Sequence, residues 1–264
     1  MGIGDEIMAS GHARAEAERT GKRVKIVDAY GFARWDDLWR GLPWIAQPHE
    51  LGDFAAVRNA PGCRPYLQYP WTRTTGQRFT SWRAADHIGA LHLFDPELAV
   101  ARARAAELGP FVVVEPSIAA KSNPNKQWGQ HNWRRLARML IADGVRVVQM
   151  SAGQHIGDGV AYVRTRSFRE AAALLTMAQL AVLPEGGLHH AAGVLGVRAV
   201  VLFGGTIAPD TTGYPHHLNV ADRGEGSPCG KWGPCRHCDA IWRDLAPGAV
   251  AEIVRSELNA RRAA

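Results

Sequence analysis

The chain has 264 residues, of which 31 are Lys or Arg and 25 are Asp or Glu, for a formal net charge of +6. Apolar residues make up 46% and charged residues 21%, an ordinary globular composition that argues against disorder, collagen and coiled coil. The chain lacks a run of ~18 apolar residues that would span a membrane, Asp5 and Glu6 stand where a signal peptide needs its apolar core, and four cysteines are too few for a disulfide scaffold, so a soluble cytoplasmic protein is expected.

Taken in order, residues 5–20 predict a helix stopped by Gly21, and Val24–Val27 a short strand. Residues 29–85 are rich in Trp, Pro, Gly and Arg and predict loops, short helices and one or two strands. Residues 96–108 predict a helix with Pro96 at its start and Gly109 after it. From there strand and helix alternate. Strands are predicted at 111–114, 145–150, 160–163, 180–183 and 199–203, and helices at 133–142, 168–178, 187–195 and 248–260. The continuous apolar runs, such as Phe-Val-Val-Val at 111–114, suit a parallel sheet covered on both faces. The alternation predicts a doubly wound α/β domain.

The charge is uneven. Between Asp53 and Asp86 there is neither an acid nor a Lys, yet Arg58, Arg64, Arg73, Arg78 and Arg83 all fall there. Without them the chain holds 26 basic against 25 acidic residues. Trp71 and Trp82 are among the aromatics between these arginines. Guanidinium forks bind phosphate and aromatic faces stack on sugars or bases, so these seven residues are the expected contacts to an anionic acceptor; the alternative is a solvated loop region.

Two loops each follow a strand and open a helix, where ligands bind in open α/β sheets. Residues 184–192 read P-E-G-G-L-H-H-A-A. Gly186 and Gly187 permit close backbone approach, the helix N-terminus offers N–H groups to an anion, and Glu185 and His190 stand beside them. Residues 115–128 read E-P-S-I-A-A-K-S-N-P-N-K-Q-W, a long loop in which Ser117, Lys121, Ser122 and Lys126 can reach phosphate. A third segment, M-G-I-G-D-E-I-M, places Asp5 near the first helix N-terminus, as a cap or as a carboxylate facing a cleft.

These segments together resemble glycosyltransferase family 9, the family of the ADP-heptose:lipopolysaccharide heptosyltransferases. The G-x-G-D start, K-Q-W-G-Q-H-N-W at 126–133, E-G-G-L-H-H-A-A-G-V-L-G at 185–196, A-V-V-L-F-G-G-T at 199–206 and a cysteine-bearing stretch at 229–238 carry the likeness. It covers residues 110–262 and, before them, about 1–28. The chain departs from the family pattern where Glu185 replaces an Asp, Gly186 a Ser or Thr, and Gly129 a Pro. It also starts at the glycine-rich loop, so the strand that the family places before that loop is expected to be missing or very short.

The resemblance implies the GT-B fold, two Rossmann-like doubly wound domains facing a cleft, here with a reduced N-terminal domain. Residues 1–108 would bind the acceptor and 109–246 the nucleotide sugar, with 247–264 a helix packing back toward the N-terminal domain. It implies inverting transfer of a hexosyl or heptosyl group from a nucleoside diphosphate sugar without a required metal. Asp5 would be the general base, and Lys126 would bind the donor diphosphate. Glu185, Gly186, Gly187 and His190 would line the donor site, with Ser117 and Thr206 as further phosphate or sugar contacts. The acceptor is expected to be a lipopolysaccharide-type saccharide or a hydroxymethylated base of phage-type DNA. A different class of reading is a non-catalytic nucleic-acid-binding protein with a small zinc site. Cys229, Cys235, Cys238 and His237 are the candidates for that site, against a default of thiols in a loop.

Overall fold

The structure, a computed structural model, describes residues 2–61, 83–118, 122–150, 155–221 and 225–263. Helix α1 spans Ile3–Thr20 and ends on Gly21, whose φ of 68° is the left-handed conformation that a glycine cap supplies without strain. Strands β1 (Val24–Val27) and β2 (Ala55–Arg58) pair in parallel, with Val27 opposite Arg58. Helix α2 (Asp95–Leu108) carries Pro in its first turn, where a missing N–H costs nothing.

The second half alternates as expected: β3 (Val112–Val114), α3 (Gln130–Ala142), β4 (Val147–Gln149), β5 (Ala161–Tyr162), α4 (Phe168–Leu175), β6 (Leu180–Pro184), α5 (Gly187–Val194) and β7 (Ala199–Phe203). It continues with α6 (Pro209–Thr212), β8 (Leu218–Ala221), α7 (Arg236–Asp244) and α8 (Pro247–Ala263). The larger sheet has six strands, all parallel, in the order β5-β4-β3-β6-β7-β8. The order reverses between β3 and β6. Ligands of such sheets sit outside the carboxyl ends of the strands at that reversal.

Side chains alternate between two apolar layers. Val112, Val114, Val182 and Leu202 face α3, α7 and α8, while Val113, Ala181, Leu183 and Val201 face α2, α4 and α5. A third core joins α1, β1 and β2 to α4 and α5 through Ile7, Ile26, Trp39, Ala172 and Ala191. Helix α8 lies on α3, with Val250, Ala251, Val254 and Leu258 buried in the layer of the larger sheet. Among the described residues, the apolar stripe of the final helix completes that layer of the second half. Among the described residues, no helix is long and apolar enough to cross a membrane.

Candidate active site

The loops after β3 and β6 converge at the reversal of strand order. Glu185, directly after β6, is buried, and its backbone N–H donates to the Leu202 carbonyl at 3.1 Å. Its carboxylate pairs with the Lys126 ammonium, which arrives on a short 3-10 turn, Pro124–Lys126. His190 Nε2 lies 3.7 Å from the other Glu185 oxygen, and His190 Nδ1 meets the Tyr214 hydroxyl at 3.0 Å. Burial alone would raise the Glu185 carboxyl, but Lys126 and the neighbouring histidines outweigh it and hold it well below the usual carboxylate range. His189, buried beside them, is pushed far down by burial and by His190.

The first helix meets this cluster end to end. A Cβ on Gly4 would lie 2.7 Å from His190 Cδ2, and one on Gly187 would lie 3.1 Å from Ile3 Cβ. Each glycine is therefore small because the other loop fills the space. Asp5 sits in the first turn of α1, where its Oδ2 accepts from the Gly2 N–H at 3.1 Å. It caps the helix, and the same turn brings it next to the Gly4–His190 contact. Glu6, one residue on, is buried and accepts from Arg34 Nη2 at 2.7 Å and from Asn59 Nδ2 at 2.9 Å. Burial raises its carboxyl despite the Arg34 partner.

The remaining expected residues are placed as follows. Gly186 precedes α5 and its carbonyl accepts the His190 N–H. Ser117 is half-buried in the loop after β3, where its N–H donates to Glu115 Oε1 at 3.0 Å. Thr206 lies against the cysteine cluster, with Oγ1 3.5 Å from Cys238 Sγ. Arg58 is exposed at the end of β2, one residue before the Asn59 that touches Glu6. Arg83 is exposed, 3.7 Å from Asp86. Arg64, Trp71, Arg73, Arg78 and Trp82 lie outside the described residues, as does Lys121. Cys229, Cys235, Cys238 and His237 are gathered, with one ligand atom from each within 4.8 Å of all the others, so the three thiols are a buried cluster and not scattered along a loop.

The model of glycosyltransferase family 9 (heptosyltransferase) matches residues 85–231, more than half of the chain. The chain belongs to this family. No curated protein sequence matches it. Escherichia coli ADP-heptose LPS heptosyltransferase II is similar at a TM-score of 0.50 and 20% identity, over 66% of this chain and 55% of that one. The chain thus spans little more than half the length of that enzyme. A glycosyltransferase family 9 structure from Veillonella parvula is similar at a TM-score of 0.67 and 13% identity, over 98% and 95% of the two chains. The iron-containing dodecameric glycosyltransferase TibC from enterotoxigenic E. coli is similar at 0.66 and 16%, over 99% and 74%. TibC has also been solved in complex with ADP-D-β-D-heptose. The architecture of this family 9 chain is that of the GT-B fold.

Several residues that support the Glu185 and Lys126 loops escape a reading by motif. Glu115 is buried at the tip of β3 and accepts from Ser117 and from Met150, each at 3.0 Å, tying two strand ends together. An acid directly after an apolar strand was the available signal. Asn123 and Asn125, read only as loop residues, are buried and hold the turn that presents Lys126. Tyr214, which orients His190, lies 24 residues away and has no local signature.

Proposed function

We propose that the chain is an inverting glycosyltransferase that moves a sugar from a nucleoside diphosphate sugar to a hydroxyl of an anionic saccharide. The observation that carries this reading is the meeting of the starts of α1 and α5, Gly4 against His190, beside Lys126 and Glu185. Residues 1–108 then form the acceptor side and 109–246 the donor side, and the protein acts in the cytoplasm.

In this reading the acceptor oxygen attacks the anomeric carbon on the face opposite the diphosphate. Its proton passes to Asp5, and the bond from the anomeric carbon to the diphosphate oxygen breaks with its electron pair leaving on that oxygen. Inversion follows from the direction of attack. A sugar hydroxyl is a weak nucleophile, and a carboxylate in hydrogen-bond reach contributes about 10²–10⁴-fold. Lys126 and the unpaired N–H groups at the start of α5 stabilise the charge that grows on the leaving diphosphate. Glu185 holds the Lys126 ammonium at the mouth of the sheet. In this assignment no divalent ion takes part in transfer, so added Mg²⁺ leaves the rate unchanged.

The test is release of nucleoside diphosphate from a panel of ADP-, UDP- and GDP-sugars, with ADP-heptose first because relatives bind it. Acceptor-dependent release with an anionic saccharide is expected. Asp5→Asn should lower it by at least about 10²-fold while leaving donor affinity unchanged. Full activity in that variant removes Asp5 as the base, and absence of binding and turnover with every donor removes the enzyme reading. Release only with hydroxymethylated DNA, falling steeply with salt, moves the acceptor to nucleic acid.

A further inference from the structure

We infer that Cys229, Cys235, Cys238 and His237 form a tetrahedral metal site of the zinc type, which ties the loop at 227–234 to the Pro124–Lys126 turn. The three sulfurs are buried and mutually close, with Cys229 Sγ 3.4 Å from Cys238 Sγ and 3.9 Å from Cys235 Sγ. Those separations are far beyond a disulfide bond of ~2.05 Å. They are close to what four ligands need, since thiolates ~2.3 Å from a shared tetrahedral zinc stand roughly 3.8 Å apart.

The histidine decides between a metal and a plain cluster of thiols. Buried thiols alone pack as small apolar side chains. His237 Nε2 meets the Glu225 carbonyl at 3.1 Å, while Nδ1 is buried with no hydrogen-bond partner. An imidazole with one nitrogen on a backbone carbonyl and the other bare, and with a ring nitrogen within 4.8 Å of three sulfurs, is arranged as a metal ligand is. Three cysteines and one histidine make a closed set of the kind that structural zinc takes. The local chain supports the arrangement. Cys235 caps α7 and Cys238 lies in its first turn, while Cys229 is fixed by its N–H donating to the Gly205 carbonyl at 2.7 Å.

The same loop grips the lysine turn. The side-chain amides of Asn123 and Asn125 donate to the Lys231 carbonyl at 2.9 and 3.1 Å, and Asn125 also reaches Gly233 at 2.8 Å. Trp242 of α7 donates to the Asn125 carbonyl at 2.7 Å. A metal that closes the cysteine loop therefore fixes the position of Lys126. This second effect rests on the reading of Lys126 as the donor diphosphate ligand.

The experiment uses the full chain purified with a thiol-free reductant and no chelator. Metal analysis should find roughly one zinc per chain. Cys235→Ser and Cys238→Ser should each fall below about one tenth of that content. His237→Cys, which supplies a fourth thiolate, should keep the metal, and His237→Ala should lose it to a weak chelator. Cobalt exchanged into the site should show tetrahedral thiolate absorption. Stripping the wild-type chain should lower its Tm and weaken ADP-sugar binding by about tenfold or more with the far-ultraviolet circular dichroism preserved. Purified protein that carries no metal, takes up no zinc and shows no Tm shift overturns the site, and iron in its place overturns the choice of zinc. Cys63 lies outside the described residues, and loss of metal in Cys63→Ser would overturn His237 as the fourth ligand. Unchanged donor affinity on stripping overturns the link to Lys126 alone. If no nucleotide sugar binds, the proposed function fails while metal content and Tm still judge the site.

Discussion

Gly4 and Gly187 lack a side chain because each faces part of the opposite loop. Gly4→Ala places a methyl 2.7 Å from the His190 ring, inside any allowed contact. His190 is buried between Glu185 and Tyr214 and has little room to yield. We expect Gly4→Ala to cost about 1–3 kcal/mol in urea unfolding, as overpacked sites do, and to raise the donor KM. A stability within ~0.5 kcal/mol of wild type would show that the two loops are not in contact. The neighbouring acids divide their tasks. Asp5 caps the helix, while Glu6 points inward to Arg34 and Asn59 and fixes the turn. In the sequence the two are adjacent acids at a helix start, and nothing local separates them. The Arg34 and Asn59 partners lie 28 and 53 residues away.

Among the elements, α4 is held by an arginine with almost no solvent exposure. Arg169 donates to both Glu97 oxygens at 2.7 and 2.8 Å and to the Asp37 carbonyl at 3.1 Å, and it also bonds the His92 carbonyl. Arg169 thus clamps α4 to α2 and to the turn at 37–39. Arg169→Met strips the Asp37 and His92 carbonyls of their donor and leaves Glu97 only Arg40 and the Phe94 N–H, and about 1–3 kcal/mol of stability should be lost in urea denaturation. A loss below ~1 kcal/mol would mean the clamp is dispensable. Strands β3, β6 and β7 were legible because burial on both faces imposes unbroken apolar runs. The edge strand β8, Leu-Asn-Val-Ala, is only half-buried, so it carries no such run and the sequence does not announce it. Helix α7 begins inside the cysteine stretch, where cysteine spacing masks helical spacing. The loops bearing Lys126 and Glu185 were legible because each is one contiguous motif at a strand end. Their supports were not, since the bonds from Asn125 to Lys231 and Gly233 join positions more than 100 residues apart.

Across the whole molecule, the response to acid follows from buried histidines. Burial, aided by His87, pushes His12 down to about 4, and burial with His216 pushes His217 down to about 3. His189 is lowered as well. Their unfolded value is about 6.5, so below that pH the unfolded chain binds more protons and the fold loses stability. The loss should begin near pH 6.5 and deepen toward about 4, by up to about 2 kcal/mol for each histidine at pH 5. Glu97 adds a second decline. Arg169 holds its carboxyl at about 2, so its contribution is complete above the unfolded value near 4.5 and disappears as the pH falls toward 2. Urea midpoints from pH 8 to 4 check this, and a flat profile between 7 and 5 would contradict it.

The interlock at Gly4 and Gly187 also constrains how the molecule moves. A clamshell opening would have to separate Gly4 from His190, draw Ile3 off Gly187 and pull Arg169 from the Asp37 carbonyl in one motion. These contacts form a seam instead of a hinge. Rotation of one half against the other would therefore break all of them at once. Scattering profiles of the substrate-free and donor-loaded chain should then superimpose.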